Sequence, residues 1–485
     1  MRAEAGAAGG RRETSDHAGR ARVRVVPIDG ADLSPSGRQR GHPGVTVALF
    51  PTLEPAGGGI YQYGCAVADA LAEAALAGQV LTALAEGEEA LPTLHGWQAV
   101  RYPAASRVPL RMPFIASPRH RALLRAIRRR TRIGAPPLVD VDAIRARPEV
   151  AAALVEAGVD LTLFPAPLPL SFEIGLPYVI AIHDLQHRLQ PEFPEVSADG
   201  EWARREYLFR NGARYASIVL ADSDVGREDI LEAYGDHGLA EERVAVLPFV
   251  APRELRAHIA DADRERVRAL YGLPSEYLFY PAQFWPHKNH LRLVEALGIL
   301  RRRGIRVALV LSGSNSGELR ARTYRTMVKR ARALGVDEQV VTLGYVPQDD
   351  MAPLYAESLG LVFPTFFGPT NIPILEAWTV GCPVITSDIR GIREQVADAG
   401  LLADPRDPEE IAEAIERLCT DAELRERLSE RGRERVRRFS PDDFRARLLE
   451  SLERARELGA PAELWVDDNA RAVSKREPAR GTGLP

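Results

Sequence analysis

Leu361–Asp388 reads LVFPTFFGPTNIPILEAWTVGCPVITSD, and its pattern decides the fold of the second half of the chain. An apolar run ends at Pro364, and a loop of small and turn-forming residues follows. A helical pattern then starts near Asn371, with Asn371 placed as a cap and Pro373 tolerated in the first turn. PVITSD supplies the next apolar run. Strand, loop, helix and strand in this order make one unit of a parallel sheet. The N–H groups of Thr370, Asn371 and Ile372 are expected to point out of the helix start, where an anion or a hydroxyl is well placed. Glu376 lies in the opening turns, within reach of a ribose diol. The same residues also fit a purely structural unit with a buried cap and a core-facing glutamate.

The alternation extends in both directions. On the N-terminal side of this unit lie YLFYPAQ, VALVLSG and VVTLGYV, separated by the helical patterns LRLVEALGILRRR and RTYRTMVKRARALG. An earlier series contains VTVALFP, DLTLFPAP, YVIAIHD, SIVLADS and RVAVLPF, near-continuous apolar runs that read as strands buried on both faces. Two doubly wound Rossmann-like α/β domains in tandem, facing a central cleft, form the GT-B architecture. The boundaries read as a disordered tail over 1–43, a first domain over 44–250 and a linker over 251–273. A second domain with closing helices follows over 274–458, and then a flexible tail over 459–485.

Glu376, Ala377, Gly381, Pro383 and Val384 together resemble the motif of the family-4 (group 1) retaining glycosyltransferases. In that family a glutamate, seven residues, a second glutamate and A-x-x-x-G-x-P-V follow one another. Glu376 matches the second glutamate, whereas the first position is Gly368, as in a variant with GPTNIP at this place. The family's phosphate-gripping lysine corresponds to Lys288 in YPAQFWPHKNHLRLVEAL, but Gln283 stands where it has arginine, so one cation is missing from phosphate neutralisation, and His287, His290 or an arginine elsewhere are the candidates to supply part of it. The resemblance covers the second domain closely and the first loosely. It implies transfer of a hexose, mannose for preference, from a nucleotide-diphosphate sugar to a glycan, lipid-linked or other glycoconjugate acceptor. Retention of configuration, no bound metal and no further cofactor are implied with it. Lys288, Glu376 and His183 would be the catalytic group. Gly313 after VALVLSG and the backbone of Tyr345 and Val346 after VVTLGY would meet the nucleotide.

In the first half, EPAGGGIYQYGCAVADAL places Gly58, Gly59 and Ile60 before an amphipathic helix, in a turn that resembles the family's cleft-bordering loop. His183 and Asp184 follow the apolar run YVIAI, where ligands bind in open α/β sheets. His187 four residues on makes one pair without a third ligand, too little for zinc. The basic stretch Arg119–Gly134 fits either an anionic membrane surface or a packed surface helix.

Bulk composition removes several classes. A net charge of −4 gives no case for nucleic acid as a partner. Three scattered cysteines make neither a disulfide framework nor a cysteine zinc site. No apolar run approaches the ~18 residues a bilayer span needs. These features favour a cytoplasmic protein, peripheral at the inner membrane face if Arg119–Gly134 binds lipid. A non-catalytic nucleotide-sugar-binding protein, motivated by Gly368 and Gln283, and a sugar epimerase on the same fold are the competing readings.

Overall fold

The chain is described by a computed structural model covering residues 25–27, 46–51, 58–74, 80–88, 97–104, 144, 146–256 and 258–460. The basic stretch 119–134 lies outside the described residues.

Among these residues the first sheet contains β1 (Val25–Pro27), β2 (Val47–Leu49), β3 (Val80–Ala85) and β4 (Gln98–Tyr102). It continues with β5 (Leu161–Phe164), β6 (Tyr178–Ile182), β7 (Ile218–Ala221) and β8 (Val244–Val246). Their order is β1-β4-β3-β2-β5-β6-β7-β8. Every neighbouring pair is parallel except β1 with β4. The second sheet holds β9 (Tyr277–Pro281), β10 (Ala308–Ser312), β11 (Val340–Gly344), β12 (Gly360–Phe363), β13 (Val384–Ser387) and β14 (Leu401–Ala403). Its order is β11-β10-β9-β12-β13-β14, parallel throughout.

The apolar runs become strands because both faces are covered. Along β6, Val179 and Ala181 enter one core while Tyr178, Ile180 and Ile182 enter the other, the two-residue period of a strand. Strand order reverses at β2 in the first sheet and at β9 in the second. Crevices open beyond the carboxyl ends of such strands. The loops after β2, β9 and β12 therefore carry Gly58–Ile60, Gln283–Lys288 and Gly368–Asn371 toward one place.

Three boundaries differ from the sequence reading. Val25–Pro27, inside the expected tail, pairs with the edge of the first sheet, as a β-branched run does when a strand edge is open. The expected linker 251–273 contains a helix, Asp261–Tyr271, docked on the second domain. Arg264 and Arg268 meet Glu357 at 2.6 and 2.7 Å, and Arg266 and the Tyr271 hydroxyl meet Asp350 at 2.7 and 2.6 Å. The helix buries only Val267 fully, so its pattern is set by charge rather than apolar spacing. Finally, Pro441–Leu458 packs on the first domain although it follows the second in sequence. Phe444 lies 5.9 Å from the Tyr63 ring, and Arg445 pairs with Glu73 at 2.6 Å. Its start is well specified: Ser440 accepts from the Asp443 N–H at 3.1 Å and Pro441 occupies the first turn.

Candidate active site in the interdomain cleft

The two sets of loops enclose a cleft of about 380 Å³. Of the residues singled out from sequence, Gly58, Gly59, Ile60, His183, Asp184, Gln283, Lys288, Thr370, Asn371 and Ile372 line it. Gly58 has φ +63°, a left-handed conformation, and a Cβ there would lie 3.6 Å from Gln283 Nε2. A Cβ on Gly59 would lie 3.4 Å from Ile372 Cδ1. The glycine turn thus brings the start of the Gly59–Glu73 helix against the second domain.

Lys288 ends a short turn that Asn289 fixes: its φ is +59°, and its amide donates to the Pro364 and Pro405 carbonyls at 2.8 and 2.7 Å. The Lys288 ammonium stands 5.0 Å from the Phe363 ring centre, and among the described residues no carboxylate pairs with it. Burial pulls it down to about 8, opposed by the nearby Asp184 and Glu195. His183 donates through Nε2 to the Pro165 carbonyl at 2.8 Å, so its Nδ1 carries the lone pair. Burial lowers its pKa and keeps the ring neutral. Tyr63 and Phe249 hold that ring at 4.6 and 5.4 Å. Asp184 accepts from the Gln186 N–H at 2.9 Å and lies 3.6 Å from Arg205.

Residues 261–435 match the family model for Glycosyl transferases group 1. The O-antigen chain mannosyltransferase B of Escherichia coli is 31% identical over 229 residues, 46% of this chain and 57% of that protein. The alpha-D-kanosaminyltransferase of Streptomyces kanamyceticus is 27% identical over 271 residues, 54% of this chain and 67% of that protein. These matches span between about half and two thirds of those relatives. Among solved structures, Anabaena HepE in complex with UDP and glucose superposes with a TM-score of 0.60 at 19% identity. That comparison covers 84% of this chain and 99% of HepE. The fold is GT-B.

Within this GT-B frame, several expected site residues occupy other roles. Glu376 is a full turn inside the Ile372–Thr379 helix and faces the core rather than the cleft. Tyr355 donates to it at 2.5 Å, and burial pushes its carboxyl up to about 7. The core-facing alternative describes it. The Asn371 N–H is not free: it donates to Gln395 Oε1 at 2.9 Å, and Gln395 Nε2 returns a bond to the Asn371 carbonyl at 3.0 Å. Asn371 occupies the cap position, but its side chain makes no capping bond. Gly313 is outside the cleft lining, and its φ of +140° answers a protein contact, since a Cβ would fall 2.3 Å from the Ala282 carbonyl oxygen. Tyr345 is exposed and Val346 buried, and neither borders the cleft.

The missing cation at Gln283 has a neighbour. Arg320 donates to Gln283 Oε1 at 2.6 Å and stacks over the Trp285 ring at 4.8 Å. His287 lines the cleft but is engaged by Glu195 of the first domain through both its N–H and Nδ1, at 3.0 and 2.8 Å. His290 is buried between Phe284 and Tyr280, at 4.4 and 4.8 Å, away from the cleft. His187 pairs with buried Glu206 at 2.7 Å, a core contact. Among the described residues no cluster has the make-up of a metal site.

Asp222 was missed from sequence. It sits at the carboxyl end of β7 as His183 does at that of β6, and the same strand-end rule would have found it. Its Oδ2 accepts from the Thr370 hydroxyl at 2.7 Å, across the cleft.

Proposed function

We propose that the protein is a glycosyltransferase that moves a hexose from a nucleotide-diphosphate sugar to a glycan, lipid-linked or other glycoconjugate acceptor. The observation that carries this reading is Lys288, a cation without a carboxylate partner among the described residues, held in a cleft between two Rossmann-like domains. A half-buried ammonium is costly unless an anion joins it. The starts of the Gly59–Glu73 and Ile372–Thr379 helices border the same cleft, and their partial positive charge suits a diphosphate. The group 1 family match and the mannosyltransferase relative support the reaction class and favour mannose as the transferred sugar.

In the proposed reaction the bond from the anomeric carbon to the diphosphate oxygen breaks and the acceptor hydroxyl oxygen bonds to that carbon. The acceptor's proton passes to the departing phosphate oxygen. Lys288 and the N–H groups at the start of the Gly59–Glu73 helix stabilise the charge that develops on the leaving diphosphate. His183, neutral and fixed by Pro165, offers Nδ1 to a sugar hydroxyl. Attack from the leaving-group face gives retention, the outcome the family resemblance favours. No divalent cation enters this scheme, so activity is expected to survive EDTA.

Thermal-shift titration with GDP, UDP, dTDP and ADP sugars tests the proposal, since a ligand of the folded state raises its stability. One nucleotide series is expected to stabilise the protein, and Lys288→Ala to remove most of that shift. An identical shift in the variant would overturn the donor-site assignment. Contact of 119–134 with the inner membrane face belongs to the same proposal. Sedimentation with anionic vesicles at low salt tests it, and no binding would remove it.

A further inference from the structure

We propose that Asp222 is a sugar-binding carboxylate, accepting hydrogen bonds from hydroxyls of a hexose held between the two domains. The inference rests on the nucleotide-sugar reading above and adds a specificity-determining residue to it.

Asp222 lines the cleft yet is only 2% exposed. Among the described residues no lysine, arginine or histidine stands within ion-pair distance of it. Its side-chain partners are hydroxyls: Thr370 on Oδ2 at 2.7 Å and Ser223 on Oδ1 at 3.1 Å. These take two of the roughly four lone-pair sites a carboxylate offers. A buried acid without a cation is unfavourable unless further donors complete its shell. Burial accordingly pushes its pKa up to about 7. Sugar hydroxyls are donors of the right kind, whereas phosphate oxygens would be repelled.

Two local features keep the acid in place. Gly226 leaves it room, since a Cβ there would fall 2.6 Å from Asp222 Oδ1. Thr370 belongs to the loop after β12, in which Gly368 has no side chain of its own to offer a ligand. The loop after β12 contributes a hydroxyl and the opposite domain contributes the carboxylate. The two meet only when the domains face each other. Lys288 and Asp222 then sort a ligand along the cleft, with phosphates drawn to the ammonium and the hydroxyl-bearing end to the acid.

The hydroxyls could belong to the transferred sugar or to the acceptor sugar. Isothermal titration of the intact protein, Asp222→Asn and Asp222→Ala distinguishes them. The probes are UDP, GDP, UDP-glucose and GDP-mannose, followed by methyl α-mannoside and methyl α-glucoside with saturating nucleoside diphosphate. The expected result is that both variants bind the nucleoside diphosphate within twofold of the parent. They would lose tenfold or more affinity for the matching nucleotide sugar if the transferred sugar is held, or for the methyl glycoside if the acceptor is. Unchanged affinity for every sugar-bearing probe would overturn the inference and leave the donor-site reading intact. So would an equal loss for diphosphate and nucleotide sugar, the mark of a purely structural role. Failure of the intact protein to bind any nucleoside diphosphate or nucleotide sugar of the GDP, UDP, dTDP and ADP series would overturn both.

Discussion

Lys288 and Glu376 show how burial sets opposite tasks for two residues of one domain. The Lys288 ammonium faces the cleft with its pKa drawn down to about 8, so it is charged at neutral pH and loses its proton as pH rises through that value. Affinity for the bound nucleoside diphosphate is therefore expected to hold between pH 6 and 7 and to fall above pH 8, measured by titration calorimetry. Lys288→Ala should weaken it about 10- to 100-fold, the worth of a charged hydrogen bond. Glu376 is raised to about 7 from an ordinary 4.5, so its protonated form is favoured in the folded state. Its contribution to stability is full below the ordinary value and is lost as pH rises toward 7. Glu376→Gln keeps an acceptor for Tyr355 and removes the titration. Its unfolding free energy should gain on the parent's between pH 5 and 8, by up to ~3 kcal/mol at one pKa unit per 1.36 kcal/mol. A pH-independent difference in denaturant unfolding would contradict this account.

At the scale of elements, two glycines fix how loops leave their strands. Gly313 follows β10 so close to the Ala282 carbonyl that any Cβ must displace backbone. Gly313→Ala is expected to cost ~2–4 kcal/mol in equilibrium unfolding. Gly368 has φ +142°, and a Cβ there would lie 2.5 Å from Asn371 Nδ2. Gly368→Ala should cost ~1–3 kcal/mol, part of it returned by Asn371→Ala because the clash is shared. Additive losses in that pair of variants would show that backbone strain alone is responsible. The same contact explains why an acid cannot simply be restored at 368: the Asn371 side chain already fills the space.

For the whole molecule, the Pro441–Leu458 helix crosses back from the second domain to the first. Phe444 packs on Tyr63, which in turn holds His183. Phe444→Ala should lower stability by ~3–5 kcal/mol in calorimetry or denaturant unfolding, the range for a large aromatic truncation. Polar contacts also cross between the domains beside the cleft. Glu195 meets His287, Gln190 donates to the Phe366 carbonyl at 2.8 Å, and Arg390 reaches Asp229 at 2.5 Å. Arg390 is exposed, so its pair with Asp229 is individually weak, whereas Glu195 and His287 are largely sheltered from water and hold the facing of the domains more firmly.

The sequence by itself determined the two parallel sheets, because strands buried on both faces leave unbroken apolar runs such as YVIAI and LVF. It also located the loops after β2, β6, β9 and β12, since parallel strands end at one edge and proline, glycine and asparagine mark where they stop. The edge strands β1 and β14 were not read from the sequence, whereas the equally short β2 and β8 were, because they sit in the longer apolar runs VTVALFP and RVAVLPF. Only the tertiary structure decided which way side chains face once a loop becomes a helix. It turned Glu376 into the core, tied the Asn371 N–H to Gln395 and gave Gly313 a protein neighbour in place of a ligand. It also brought Asp222 to Thr370 from 148 residues away, and no local pattern records a contact between residues so distant in the chain.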